Sequence, residues 1–355
     1  MEGASSDSRN PYDALIVVSF GGPEGPDDVL PFLENVTRGR GVPRERLLEV
    51  VSTYQRFGGV SPINAQNRAL VAAVREELTT AGIDIPIYFG NRHWHPFLAD
   101  AVAGMARDGV QRALAFVTSA YSSYSGCRAY LEDIERAREA AGPSAPRIEK
   151  IRNFWNHPGF VEPMAANVQR AIDEIPIERR AAARIAFTGH SIPIASAESC
   201  DYVAQLRETG DLLVDRVEPR LPSDLVFQSR SGPPTQPWLE PDVGDHVEEL
   251  ARQGVRDVVV APIGFVSDHM EVVYDLDTLA RERAAAAGIG LVRAATVGVA
   301  PAFVRMVREL VEERLDPAVP RRSLGSKGPR ADVCSPGCCP APRRPERVAT
   351  PDASR

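Results

Sequence analysis

Short, wholly apolar runs alternate with amphipathic segments along most of this chain, and that rhythm leaves few folds open. Ala14-Leu15-Ile16-Val17-Val18-Ser19-Phe20 shows almost no polar alternation, as expected of a parallel strand covered on both faces. Residues 64–81 follow as a helix with Leu70, Val71, Val74 and Leu78 on one side. Strands at 85–90, 112–118 and 148–154 alternate with helices at 97–108 and 128–141, and a Gly-Pro-Ser-Ala-Pro linker covers 142–146. The order then repeats, with a helix at 159–172, strands at 184–188, 223–228, 255–262 and 289–295, and helices at 243–253, from near Glu271, and at 301–315. Strands alternating with helices imply parallel sheets with covered faces. The expected fold is therefore α/β, with two doubly wound Rossmann-like domains over residues 11–155 and 156–315 and a cleft between them. The last helix, 301–315, is expected to pack back on the first domain. Beyond residue 316, Pro, Arg, Gly and Ser displace the apolar periodicity, and 316–355 reads as a flexible tail by composition.

Composition narrows the function. The 355 residues carry 43% apolar and 25% charged side chains, an ordinary globular balance. A net charge of −7 argues against general nucleic-acid affinity, which needs a basic face. No apolar run approaches the ~18 residues of a membrane span. The opening residues, Met1-Glu2-Gly3-Ala4-Ser5-Ser6-Asp7, lack the basic start and apolar middle of a secretory signal. The expected location is the cytoplasm.

Two stretches fit one chemical task between them. Phe187-Thr188-Gly189-His190-Ser191-Ile192-Pro193 and Ala261-Pro262-Ile263-Gly264-Phe265-Val266-Ser267-Asp268-His269-Met270-Glu271 each begin as an apolar strand and end in a polar turn opening a helix. Ligands of open parallel sheets bind at the carboxyl ends of strands. His190 and Glu271 are thus expected to face one cleft, where an imidazole and a carboxylate can pass protons or hold a borderline divalent metal. The bland alternative is two polar loop residues bonded to backbone.

Other stretches are less specific. Gly21-Gly22-Pro23-Glu24-Gly25-Pro26 follows a strand but lacks the dinucleotide glycine spacing, and its prolines remove backbone donors. Thr37-Arg38-Gly39-Arg40-Gly41 and Tyr54-Gln55-Arg56-Phe57-Gly58-Gly59-Val60-Ser61-Pro62 mix arginines, hydroxyls and aromatics, which suits a flat aromatic ligand bearing carboxylates. Taken alone they read as a solvated loop. Tyr121-Ser122-Ser123-Tyr124-Ser125-Gly126-Cys127-Arg128-Ala129-Tyr130 is a hydroxyl-rich strand end, suited to a carboxylate or to capping the next helix. Of the five cysteines, Cys127, Cys200, Cys334, Cys338 and Cys339, three crowd into the tail. Adjacent Cys338 and Cys339 suit a two-iron cluster better than one tetrahedral ion, with Cys127 as the candidate fourth ligand. Zinc and free thiols are the alternatives.

Read together, the ordered motifs resemble the ferrochelatase family. They are Phe20-Gly21-Gly22-Pro23, Gly58-Gly59-Val60-Ser61-Pro62, Tyr88-Phe89-Gly90-Asn91-Arg92-His93, Gly189-His190-Ser191-Ile192-Pro193, Gln228-Ser229-Arg230 with Pro237-Trp238-Leu239, and Gly264 through Glu271. The resemblance implies two Rossmann-like domains around a central porphyrin cleft and insertion of Fe(II), as substrate, into the ring. It carries the catalytic and iron-side roles onto His190 and Glu271 and porphyrin contact onto Ser61, Tyr54 and Tyr130, with His93 as an accessory residue. Some members have a tyrosine on the far face of the ring where this chain has Phe20, so an axial phenolate is lacking there.

The likeness is closest to the actinobacterial type, which resembles coproporphyrin III ferrochelatases. It implies coproheme formation in haem b synthesis. It also implies transient contact with an upstream porphyrin oxidase and a downstream coproheme decarboxylase. Coproporphyrin has twice the propionates of protoporphyrin, and Arg38, Arg40 and Arg56 are their candidate partners. The same likeness implies a [2Fe-2S] cluster on Cys127, Cys334, Cys338 and Cys339, leaving Cys200 over. The rivals are protoporphyrin IX ferrochelatase, a cobalt chelatase for sirohydrochlorin, and a non-catalytic porphyrin or haem carrier.

Overall fold

The computed structural model describes residues 10–232, 235–335 and 337–341. It contains two all-parallel sheets of four strands each. The first is ordered β2-β1-β3-β4, with β1 Ala14–Ser19, β2 Ile87–Asn91, β3 Arg112–Val117 and β4 Arg147–Lys150. The second is ordered β6-β5-β7-β8, with β5 Arg184–His190, β6 Ser223–Gln228, β7 Asp257–Ala261 and β8 Gly290–Arg293. Each sheet is doubly wound. The chain leaves a central strand to one side, then returns to the other. This creates a switch point at the carboxyl ends of β1 and β3 in one sheet and of β5 and β7 in the other.

Burial of both faces explains the apolar runs. Leu15 and Val17 point into a core that also holds Ile185, Phe187, Val259 and Ala261 of the second sheet. Ala14, Ile16 and Val18 point the other way, onto Leu98, Val102 and Ile134. The second sheet repeats the pattern, with Ala186, Val226, Val258 and Val260 packed under Val247 and Leu276. The shared core is closed by aromatics from three elements: Phe116 stacks on Phe154 at 5.2 Å, and Phe303 meets Phe154 edge-on at 5.9 Å. Phe303 belongs to the helix Pro301–Leu315, which packs against the helices Ile63–Thr80 and Pro158–Glu174.

Three departures from the sequence reading stand out. The fourth strand stops at Lys150 rather than 154, because Arg152, Phe154 and Trp155 turn into the junction between the sheets. Two stretches without an assigned element in the sequence reading are the helices Val29–Val36 and Arg44–Gln55, whose Val29, Phe32, Leu33, Leu47 and Tyr54 form a separate small core with Trp94 and Met270. The tail, read as flexible from composition, is docked in its described residues as far as Cys339, whose side chain is buried and whose neighbour Cys338 accepts from Arg128 through its carbonyl. Arg152 donates to the Arg322 carbonyl at 2.8 Å, and Asn156 to the Leu324 and Gly328 carbonyls at 3.2 and 2.9 Å. Backbone groups thus satisfied add to the few apolar contacts of the tail, such as Leu324 against the shared core. Among the described residues, no helix is long and apolar enough to cross a membrane.

Candidate functional site

The two switch points hold the candidate residues. β5 runs to His190 itself, two residues beyond the expected strand end. Gly264, in the loop after β7, donates its N–H to the Thr188 carbonyl at 3.0 Å. A side chain on Gly264 would meet the Gly189 backbone at 2.8 Å, so only glycine lets the two strand ends touch. This backbone contact brings the following Glu271 to His190. His190 Nε2 lies 3.5 Å from Glu271 Oε2, with side-chain exposures of 31% and 47%.

The hydrogen bonds fix the tautomer of His190. Its Nδ1 is 2.5 Å from the Ser191 carbonyl. A carbonyl only accepts, so Nδ1 carries the hydrogen and Nε2 of the neutral ring presents its lone pair. Burial works against charging His190. The Glu271 carboxylate, the Ser191 carbonyl and Asp275 outweigh it, and the imidazole is more basic than usual. Burial likewise opposes ionisation of Glu271, yet His190 and His269 hold its carboxyl down at about 2. The neighbouring His269 is used differently. It caps the helix Met270–Tyr274, its Nδ1 accepting from the Glu271 N–H at 3.2 Å, and burial makes it less basic.

Asp275 escapes the sequence reading, and Gln228 and Ser229, quoted there as part of a motif, are given no role in it. Asp275, four residues after Glu271 and so on the same helical face, is pushed up to about 7 by burial, its bond from Ser229 only partly opposing, with Glu271 adding to the rise. Ser229, which donates to Asp275, has φ of 61°, a costly conformation for a residue with a side chain. Gln228 donates to the Glu271 carbonyl at 3.0 Å. The i, i+4 spacing of Glu271 and Asp275 was the available signal. A third contact comes from the first sheet's side, where Gln66 accepts the Asp268 N–H at 2.8 Å.

The remaining candidates divide among these surroundings. Tyr54 is buried beside Phe32, with burial and then Glu271 and Asp275 raising its phenol pKa, so it stands near the same carboxylates. Phe20 is partly exposed and packs on His93 at 4.5 Å, where burial and then Arg92 depress the imidazole to about 4. Ser61 is buried under the glycine turn, and a side chain on Gly22 would meet its Oγ at 2.8 Å. Tyr130 is buried beneath the Arg92 guanidinium, 4.5 Å from the ring centre, and Arg92 pairs with Asp133. Arg38 is on the surface and donates to Asn35 at 2.5 Å, while Arg56 lies 6.0 Å from the Tyr274 ring.

The cysteines gather at a second place. Cys127 sits in a π-helical turn, Tyr124–Arg128, after β3. All five cysteines are free thiols, Cys338 Sγ lies 3.5 Å from Cys339 Sγ, and Cys334 lies close enough to Cys127 and Cys338 for both to influence its ionisation. Cys334 in turn draws the Cys127 thiol down to about 6 against the effect of burial. Cys200, left over in the sequence reading, lines a pocket with Cys338 and Cys339. Among the described residues, no group of three or more His, Cys, Asp or Glu side chains is disposed to hold a single metal ion.

Comparison with known proteins agrees with this arrangement. The ferrochelatase family model matches residues 12–315. Relatives named coproporphyrin III ferrochelatase include one from Nocardia farcinica, 52% identical over 94% of this chain and 98% of its own length. Another from Streptomyces griseus is 51% identical over 97% and 98%. A relative from Rhodopirellula baltica named ferrochelatase is 52% identical over 94% of this chain and 95% of its own. Among solved structures, SirB from Bacillus subtilis with Fe3+ superposes with a TM-score of 0.52 at 15% identity, covering 85% of this chain and 96% of that one, and shares the fold. On the match over residues 12–315 and these relatives, the chain belongs to the ferrochelatase family.

Proposed function

We propose that this protein inserts Fe(II) into coproporphyrin III, with His190 and Glu271 as the groups that handle protons and iron. The observation that carries the reading is the hydrogen bond of His190 Nδ1 to the Ser191 carbonyl, which turns Nε2, the nitrogen that gains and loses the proton, toward the Glu271 carboxylate 3.5 Å away. Metallation replaces two pyrrole N–H protons with Fe(II) and releases both. Nε2 accepts such a proton and Glu271, ionised, stabilises the resulting imidazolium. The same pair offers one nitrogen and one oxygen to an arriving Fe(II), a suitable set for that ion. Asp275, near neutrality in its pKa, lies next in line as an acceptor. In this reading Ser61, Tyr54, Tyr130 and Phe20 line the ring's cleft, with His93 beside Phe20, and Arg38 meets a propionate.

The names of the relatives support coproporphyrin III as the ring. Turnover of coproporphyrin III and protoporphyrin IX, each with Fe(II) under anaerobic conditions, tests this. Clear preference for coproporphyrin III is expected, and metallation of protoporphyrin IX alone overturns the substrate assignment.

We further propose that Cys127, Cys334, Cys338 and Cys339 hold a [2Fe-2S] cluster. Support comes from the closeness of the thiols, Cys338 and Cys339 being 3.5 Å apart, and from two cations: Arg330, 3.7 Å from the Cys338 sulfur, and Lys150, which adds to the lowering of the Cys127 thiol by Cys334. Against this, Cys127 and burial push Cys334 up, and burial and Cys338 push Cys339 up. Such a cluster supplies one-electron chemistry and ties residue 127 to the tail. Anaerobically purified protein should show iron–sulfur absorption with acid-labile sulfide, lost in Cys127→Ser. A colourless, zinc-containing protein overturns the assignment.

A further inference from the structure

The docked tail and the candidate active site touch opposite ends of one structural relay, the start of the helix Tyr202–Val214. On the active-site side, Tyr202 is buried and its hydroxyl donates to the His190 carbonyl at 3.1 Å. A side chain on Gly189 would meet that hydroxyl at 2.9 Å, so the glycine makes room for the bond. The peptide unit between His190 and Ser191 is thereby held at both ends, since the Ser191 N–H donates to the Gln228 carbonyl at 2.7 Å. The next carbonyl along, that of Ser191, receives the imidazole Nδ1–H.

On the tail side, Arg330 pairs with Asp201, the residue preceding Tyr202, at 2.8 Å. The same guanidinium reaches Cys338 Sγ at 3.7 Å, and Arg321 donates to the Arg330 carbonyl at 2.8 Å. Two turns along the helix, Lys327 pairs with Glu208 at 3.5 Å. The helix is also fastened to the loop after β3, because Gln205 accepts the Ser122 N–H at 2.8 Å and donates to its hydroxyl at 2.9 Å.

We propose that Tyr202 is a positioning residue for His190, and that the docked tail holds it in register through Arg330 and Asp201. The inference rests on the reading of His190 as the insertion base, but its decisive measurement does not. Tyr202 acts by orienting the backbone from which the imidazole hangs and touches neither ring nor iron. The Arg330–Asp201 pair is partly exposed and contributes modestly, as such pairs do. Its role is geometric, since it anchors the helix one residue before Tyr202.

Hydrogen exchange of the segment 187–193, measured on the full chain without substrates, is the deciding test. Tyr202→Phe is expected to speed exchange there by about fivefold, the size of one lost hydrogen bond, without a general increase elsewhere. It should lower kcat about five- to tenfold while leaving KM for porphyrin within about twofold. Arg330→Ala should give the same local signature at about two- to threefold, Arg330→Lys should restore it, and the Tyr202→Phe/Arg330→Ala pair should add little beyond Tyr202→Phe. Unchanged exchange at 187–193 in Tyr202→Phe, or fully additive effects in the pair, overturns the inference. Loss of the insertion reading through an active His190→Ala variant leaves the exchange result to decide the positioning claim by itself.

Discussion

Replacing His190 with alanine should abolish metal insertion, lowering kcat by at least about 10³-fold, while coproporphyrin III still binds within about threefold of the wild-type affinity. The asymmetry follows from where the contacts come from. The ring's candidate neighbours, Ser61, Tyr54, Tyr130 and Phe20, stand on the first sheet's side and lose nothing in this variant. What disappears is the Nε2 lone pair 3.5 Å from Glu271. Glu271 alone is a poor replacement, because without His190 burial pushes its carboxyl toward the protonated form, which has no charge with which to take a further proton or hold iron. Porphyrin fluorescence gives both numbers: quenching on titration reports binding, and loss of the free-base signal with Fe(II) reports insertion. Insertion within about tenfold of wild type would remove His190 from the mechanism and favour a porphyrin carrier over a chelatase.

The site was legible where chemistry and topology coincide. His190 ends the central strand and Glu271 opens the helix that follows the loop after its neighbour, where a doubly wound sheet exposes polar turns, and the two strands announced themselves by apolar runs. What stayed hidden depends on contacts between distant segments. Asp275 gains its character from burial and from Ser229, forty-six positions away, and no local pattern carries that. Tyr202 and its helix have no counterpart in the sequence reading, and the role of its hydroxyl depends on a contact with the His190 carbonyl twelve residues earlier. The helices at 29–36 and 44–55 were missed because arginines and glycines around residues 37–41 dominate the local composition, and because their core partners, Trp94 and Met270, lie far along the chain. The tail was misread for the same reason. Its anchors are backbone carbonyls, which every residue has and no composition reveals, and ion pairs to distant residues, such as Arg330 to Asp201.

The strongest of those anchors gives the largest expected effect on stability. Arg152 and Glu313 form a two-pronged pair at 2.7 and 2.8 Å with side-chain exposures of 0% and 2%. Arg152 leaves β4 at the junction between the sheets, Glu313 belongs to the helix Pro301–Leu315, and the same guanidinium holds the Arg322 carbonyl of the tail. Removing one partner strands the other charge in a dry interior, at a cost of about 3–5 kcal/mol. Arg321, 3.5 Å from Glu313, can take over only part of the role. Arg152→Ala should therefore lower the thermal midpoint on the order of 10 °C and open residues 316–341 to proteolysis. The double replacement Arg152→Met with Glu313→Leu leaves no stranded charge and should recover most of the midpoint. It cannot recover the bond to the Arg322 carbonyl, so protease sensitivity of the tail should persist in it. A single variant that melts within about 2 °C of wild type, or a double variant as unstable as the single one, would show that this pair does not bear the junction. Recovery of the midpoint without recovery of the tail would separate the two duties of Arg152: balancing Glu313 in the core, and fastening the segment that carries Cys334, Cys338 and Cys339.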